Sequence, residues 1–118
     1  MASILTIENW IKFHETTNFE SVLPKLDVCY MTRVQKERFK KENGEIDEEA
    51  YMAAKGKCIL DGYNVDLMKK DSIIMHPLPR IDEIAVKIDS DPRAKYFEQA
   101  KNGLYVRMAL LKILAENN

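Results

Sequence analysis

Two short stretches hold the side chains with chemistry to offer. The first is Met75-His76-Pro77-Leu78-Pro79-Arg80, directly after the apolar pair Ile73-Ile74. Its two alternating prolines fix their own φ and withhold two N–H donors, and they drive His76 and Leu78 toward extended backbone. The spacing predicts a stiff turn that offers several backbone carbonyls beside a histidine and an arginine. The second stretch is Thr32-Arg33-Val34-Gln35. The Arg33 guanidinium presents a planar fork of donors that fits a carboxylate or a phosphate. Gln35 adds an amide that donates or accepts, and the proline-loop carbonyls suit an amine or amide N–H. Brought together, these groups would cradle an amino acid, with the guanidinium on a carboxylate and the carbonyls on the amino group. His76 has two readings: it polarises a carbonyl or relays a proton, or it is a structural imidazole held by backbone bonds. Glu37 either orients Arg33 or stays a solvated charge. Lys36, Arg38, Lys40 and Lys41 form a short basic run that reads as a solvated face. The plain alternative for the whole loop is a proline-rich exit with no ligand.

The elements that would position these loops alternate between strand-like and helix-like. Ile4 to Ile7 and Trp10 to His14 read as strands. Asn18 is a candidate cap for a helix carrying Phe19, Val22, Leu23 and Leu26, shortened by Pro24. Val28 to Met31 is a compact apolar run of the kind found in buried parallel strands. Lys40 to Glu49 contains Asn43-Gly44 and no apolar periodicity, so it reads as a mobile loop. A helix through Tyr51 to Ala54 follows, with Gly56 as its stop. Cys58-Ile59-Leu60 is another apolar run, Asn64 is a candidate cap for a helix through Leu67 and Met68, and Ser72 to Met75 is a strand. Asp91-Pro92 reads as an N-cap followed by proline at the first helical position. A long helix then carries Leu104, Met108, Leu111 and Leu114 at helical spacing. Alternating β and α elements imply a parallel α/β sheet. In such sheets ligands sit outside the carboxyl ends of the strands. If the strands ending at Met31 and Met75 are neighbours, both chemical loops leave the same edge.

The bulk numbers set limits. A chain of 118 residues with 46% hydrophobic and 31% charged residues suits one folded domain with a modest core. A formal net charge of -1 argues against a nucleic-acid partner, which calls for a basic surface. Cys29 and Cys58 have no metal-ligand spacing and read as small core residues in a reducing, cytoplasmic setting. No metal or other cofactor is expected. No apolar run reaches the ~20 residues of a membrane span, so no membrane partner is expected, and the opening residues lack the pattern of a secretory signal.

Tyr30-Met31-Thr32-Arg33-Val34-Gln35-Lys36-Glu37-Arg38-Phe39 and Met75-His76-Pro77-Leu78-Pro79-Arg80-Ile81-Asp82-Glu83-Ile84 resemble the two signature stretches of the aspartate carbamoyltransferase catalytic chain. Pro92 to Ala100, Asn102-Gly103 and Arg107 to Leu111 are similar to its final helix. The similarity runs from about Trp10 to Leu114, and its three motifs stand in the family's order. The proline loop separates it from the related ornithine enzyme, which has a cysteine-containing loop there. The resemblance implies transfer of the carbamoyl group from carbamoyl phosphate to L-aspartate, an early step of pyrimidine biosynthesis. It implies that Arg33 and Gln35 hold the aspartate carboxylates. It places the Pro77 and Leu78 carbonyls at the reacting groups, and Leu78-Pro79, joined by a cis bond, along the carbamoyl phosphate site. It sets Tyr51 and Asp82 as a pair that holds a mobile loop closed, although the Lys40 to Glu49 stretch is longer here than in the common family form.

The family's carbamoyl-phosphate domain has no counterpart in these residues. The expectation is therefore one incomplete aspartate-binding domain over residues 1–118: an unmatched leader 1–9, an α/β part 10–90 and a C-terminal helix 91–116. The fold expected is a partial Rossmann-like parallel sheet with flanking helices and that long helix. Its partners would be aspartate, carbamoyl phosphate, and the missing N-terminal domain or a companion chain. It would form a homo-oligomer, a trimer in the family, and no catalytic residue is assigned to this chain itself. Two other readings stay open: a non-catalytic amino-acid-binding or assembly module on the same fold, and a transcarbamoylase for another amino acid. An exposed sheet edge and an apolar face on the last helix would favour association or partial unfolding of the chain alone.

Overall fold

A computed structural model describes residues 13–117. The expected strand at Ile4 to Ile7 and most of the one at Trp10 to His14 lie outside these residues, while Phe13 and His14 have no regular structure. Two strands, β1 (Val28–Tyr30) and β2 (Ile73–Met75), run parallel in the register Val28↔Ile73, Cys29↔Ile74 and Tyr30↔Met75. Two α-helices accompany them, α1 (Glu48–Ala54) and the long α2 (Tyr96–Glu116). The fold is α/β, as the alternation implies. The core gathers Leu23, Cys29, Met31, Leu60, Val65, Met68, Ile74, Ile84, Ile88 and Tyr96, with Ile74 of β2 fully enclosed. Leu60 adds a short parallel pairing, donating its N–H to the Glu83 carbonyl while its own carbonyl accepts from Ala85.

Several elements are shorter than the patterning suggests. Asn18 does receive the Ser21 N–H, but Pro24 lies inside a single 3-10 turn over Leu23–Lys25 and no helix follows. Asn64 caps nothing. Its buried amide accepts from the Asp61 N–H and donates to the Ile59 carbonyl, and only a 3-10 turn, Val65–Leu67, comes after it. The polar Lys40 to Glu49 stretch is partly ordered: Lys40 pairs with Ile46 in an antiparallel bridge around Gly44, at φ 84°. Asp47 then starts α1 by accepting the Ala50 N–H. Gly56, at φ 80°, follows that helix closely, in the left-handed region where glycine is favoured.

The final helix begins at Tyr96 rather than after Asp91. Two interactions delay it. The Asp91 carboxylate is engaged by Arg93, through its N–H, Nε and Nη2, and so is not free to cap. The backbone at Arg93 and Lys95 is held beside β2: Ile74 donates to the Arg93 carbonyl and Lys95 donates to the Ile74 carbonyl, both at 2.8 Å. Cys29 is buried, which together with the nearby Cys58 pushes its thiol up to about 11. Cys58 itself is exposed, against the expectation of two core cysteines.

Candidate functional site

The parallel register sets the two chemical loops side by side. β1 and β2 both end at the pair Tyr30↔Met75, so the chain leaves each at the carboxyl edge of the sheet. There, Thr32, Arg33 and Gln35 from the first exit and His76, Pro77, Leu78 and Pro79 from the second line one cavity of about 270 Å³. That is near the lower end of the volumes of small-ligand clefts, about 300–1,000 Å³. The Leu78-Pro79 bond is cis, and Leu78 has φ 49°.

Within the cavity, Arg33 is half-buried and oriented by Glu37, whose Oε1 accepts from Nη2 at 2.9 Å. Both partners are substantially exposed, so the pair contributes no more than about 1 kcal/mol to stability; its effect is to aim the guanidinium. Among the described residues the Gln35 side chain makes no hydrogen bond, and no hydrogen bond ends on the Pro77 or Leu78 carbonyl. The residues that line the cavity therefore carry a guanidinium, an amide and two carbonyls with no hydrogen-bond donor among the described residues.

Other side chains around this site hold it rather than face it. Arg80 turns away to Asp89, engaging both carboxylate oxygens, with Nη2 to Oδ2 at 2.7 Å. Its guanidinium lies 5.7 Å from the centre of the Tyr96 ring. Arg80 holds the Asp89 carboxyl below the usual carboxylate range. Burial, helped by the bond to Asp89, pushes the Tyr96 hydroxyl up to about 12. Tyr51 packs edge-on against Phe39 with ring centres 5.9 Å apart, and Lys36 lies over its face. Asp82 meets Lys55, at the end of α1, at 3.7 Å. Tyr51 and Asp82 are thus not bonded to each other here. The basic run is not wholly solvated either, since Lys36 pairs with Glu48 at 2.6 Å.

Two residues at the site escaped the sequence reading. Glu83 is buried, and its carboxylate receives His76 Nε2 at 2.6 Å and the Ile81 and Asp82 N–H groups at 3.1 Å. Burial alone would raise its pKa, but these donors outweigh it and hold the carboxyl below its ordinary value. Gln99, in the first turn of α2, accepts the His76 N–H and donates to the Tyr30 hydroxyl, so it ties the helix to both strand ends. The one available hint was an acidic residue directly before the apolar Ile84.

The family model described as "Aspartate/ornithine carbamoyltransferase, Asp/Orn binding domain" matches residues 2–114, starting ahead of the Trp10 boundary that the motifs suggest. The chain belongs to this domain family. It is similar to the chloroplastic aspartate carbamoyltransferase of Oryza sativa subsp. japonica, with 55% identity over 105 residues, 88% of this chain and 27% of that protein. It is similar to the aspartate carbamoyltransferase catalytic subunit of Lachnoclostridium phytofermentans, with 50% identity over 104 residues, 88% of this chain and 32% of that protein. Among solved structures it resembles aspartate transcarbamoylase from Trypanosoma cruzi in complex with carbamoyl phosphate and aspartate, with a TM-score of 0.65 and 43% identity over 78% of this chain and 28% of that one. The chain thus spans about a third or less of the length of these relatives. Among the described residues no helix is long and apolar enough to cross a membrane.

Proposed function

We propose that this chain supplies the aspartate-binding side of a carbamoyl transfer from carbamoyl phosphate to L-aspartate in pyrimidine biosynthesis. The observation that carries the reading is the one cavity that Arg33 and Gln35 line together with Pro77 and Leu78. The guanidinium and the amide take the two carboxylates of aspartate. The carbonyls accept from its amine and hold the nitrogen toward the carbamoyl carbon, with Pro79 beside the phosphate-bearing reactant. The amine nitrogen bonds that carbon as its bond to the phosphate oxygen breaks; phosphate leaves with the electron pair and takes up the proton that the amine gives up. Catalysis of this kind comes from placing two reactants and stabilising the charge that develops on the carbamoyl oxygen. Relatives whose structures hold carbamoyl phosphate and aspartate support the substrate choice.

The groups that bind the phosphate would come from a carbamoyl-phosphate domain on further polypeptide or a companion chain, in a cytoplasmic homo-oligomer, a trimer by analogy with the family. Tyr51 and Asp82 would approach each other only on closure, with the second Asp82 oxygen available beside the one that meets Lys55. Titration of the chain with L-aspartate tests the site: saturable binding lost on Arg33→Ala supports it. Preference for ornithine over aspartate overturns the substrate choice, and carbamoyl transfer by the 118-residue chain alone overturns the division of labour. Binding without turnover, even when a carbamoyl-phosphate domain is supplied, favours a non-catalytic module.

A further inference from the structure

We propose that His76 is a positioning residue for the substrate amine: its Nδ1 pins the Leu78 N–H and thereby aims the Pro77 and Leu78 carbonyls into the cavity. The proposal rests on the reading of the cavity as an aspartate site.

The Leu78 N–H donates to His76 Nδ1 at 2.8 Å. A backbone N–H can only donate, so Nδ1 carries no proton and the neutral ring bears it on Nε2. Nε2–H then donates to Glu83 Oε1 at 2.6 Å. Glu83 is an acceptor only, and it is held in place by the Ile81 and Asp82 N–H groups on its other oxygen. The carboxylate thus selects the one imidazole tautomer that can receive Leu78. The His76 backbone is fixed separately by Gln99 from α2. With the residue 1% exposed and both ring nitrogens engaged, no lone pair or proton is free for a relay. The proton-relay reading of His76 falls, and the structural one gains a purpose.

That purpose shows in the backbone. Leu78 sits at φ 49°, a region that leucine rarely adopts and that persists only when its surroundings hold it. Of the bonds holding residue 78, the one to Nδ1 is made by its own N–H. Release of that N–H would let the peptide planes on either side rotate, and the carbonyls that face the amine would rotate with them.

Two substitutions separate the ring's two bonds. In His76→Asn, Oδ1 stands close to the Nδ1 position and can still receive Leu78, but nothing reaches Glu83. In His76→Gln, the amide nitrogen stands close to the Nε2 position and can still donate to Glu83, but Leu78 loses its acceptor. Calorimetric titration of the 118-residue chain with L-aspartate and with succinate, which lacks the amine, reads the consequence. The expected result is a rise in the aspartate dissociation constant of about tenfold in His76→Gln, the scale of one lost hydrogen bond. Succinate changes by less than about threefold, and His76→Asn recovers most of the aspartate affinity. Equal losses for both ligands, or losses that follow thermal stability in both variants, overturn the proposal.

The wild-type chain gives a readout that needs neither variant to fold. Its ring ¹⁵N shifts should report the Nε2–H tautomer, and the Leu78 amide should exchange slowly with solvent. An Nδ1–H tautomer or a fast Leu78 amide overturns the pin. Should the wild-type chain bind neither ligand, the substrate reading fails by itself, while tautomer and amide exchange still decide for or against the pin.

Discussion

The strand exits and the final helix are built on opposite terms. Around β2 the buried groups find their partners among the described residues: Ile74 is enclosed, and the buried His76 and Glu83 satisfy each other. Helix α2 buries only Tyr96. Beyond it, Leu104, Met108 and Leu111 lie along one side, at 55%, 57% and 68% exposure, and Val106, Leu110 and Ile113 lie along the opposite side, at 59%, 55% and 55%. At 100° per residue these are two stripes half a turn apart. A helix that is apolar on both sides is ordinarily buried. The first region is specified by its own sequence. The second carries apolar surface for which the described residues offer no cover, in a chain that matches only about a third or less of its relatives' length.

The same kind of truncation should therefore have very different effects in the two regions. Ile74→Ala empties a fully enclosed position at the centre of the sheet, where such changes cost about 2–5 kcal/mol. Leu111→Ala removes a side chain already facing water and should change stability by no more than about 0.5 kcal/mol. Urea unfolding of the two variants at low protein concentration measures both. A Leu111→Ala loss approaching that of Ile74→Ala would break the comparison, because it would mean that α2 is packed in solution. Sedimentation at several concentrations then shows whether another copy covers it.

The next largest effect belongs to Glu83. Its carboxylate accepts from three N–H groups, and an amide in its place has only one acceptor oxygen. In Glu83→Gln at least one donor faces another donor in a buried site, at a cost of about 1–3 kcal/mol. The pH dependence carries the same signature. Donors hold the folded Glu83 carboxyl below its unfolded value, and Arg80 and Arg93 do the same for Asp89 and Asp91. A depressed carboxylate stabilises the fold above its unfolded pKa, about 4, and that contribution is lost as pH falls through the lower folded value. Stability should hold from neutrality to about pH 5 and fall below about pH 4, with a shallower acid slope in Glu83→Gln. An unchanged slope would mean that the carboxyl is not held by these donors.

What the sequence disclosed follows the same division. The strands at Val28 and Ile73, the meeting of their exits, and the cavity of Arg33, Gln35 and the proline loop were legible because apolar runs and prolines act locally. The start of α2 was not. Asp91-Pro92 is a sound local start signal, and it loses to Arg93, which takes the carboxylate, and to β2, which takes the backbone at Arg93 and Lys95. The roles of Glu83 and Gln99 were hidden for a related reason: a buried acid, hinted at only by its place before Ile84, and a helix-surface amide look like any other until the strand ends they serve are placed. The second apolar stripe of α2 could have been read from Val106, Leu110 and Ile113, whose spacing is as regular as that of Leu104, Met108 and Leu111.

The smallest effect tests whether α1 belongs to either region. It has seven residues, none of them buried, and its start rests on Asp47 accepting the Ala50 N–H. A helix this short is marginal without packing, so its cap should matter locally and little elsewhere. Asp47→Ala should cost about 1 kcal/mol of helix stability, visible as faster amide exchange over residues 50–54. The global unfolding midpoint should stay where it is, because the core of Leu60, Ile74, Ile84 and Tyr96 does not include α1. A midpoint shift as large as that of Glu83→Gln would instead mean that α1 is coupled to the proline loop. The contact available for that coupling is Lys55 with Asp82, so a second substitution, Lys55→Ala, should then abolish the excess shift. If the shift is absent, α1 is free to rearrange without disturbing the walls of the cavity.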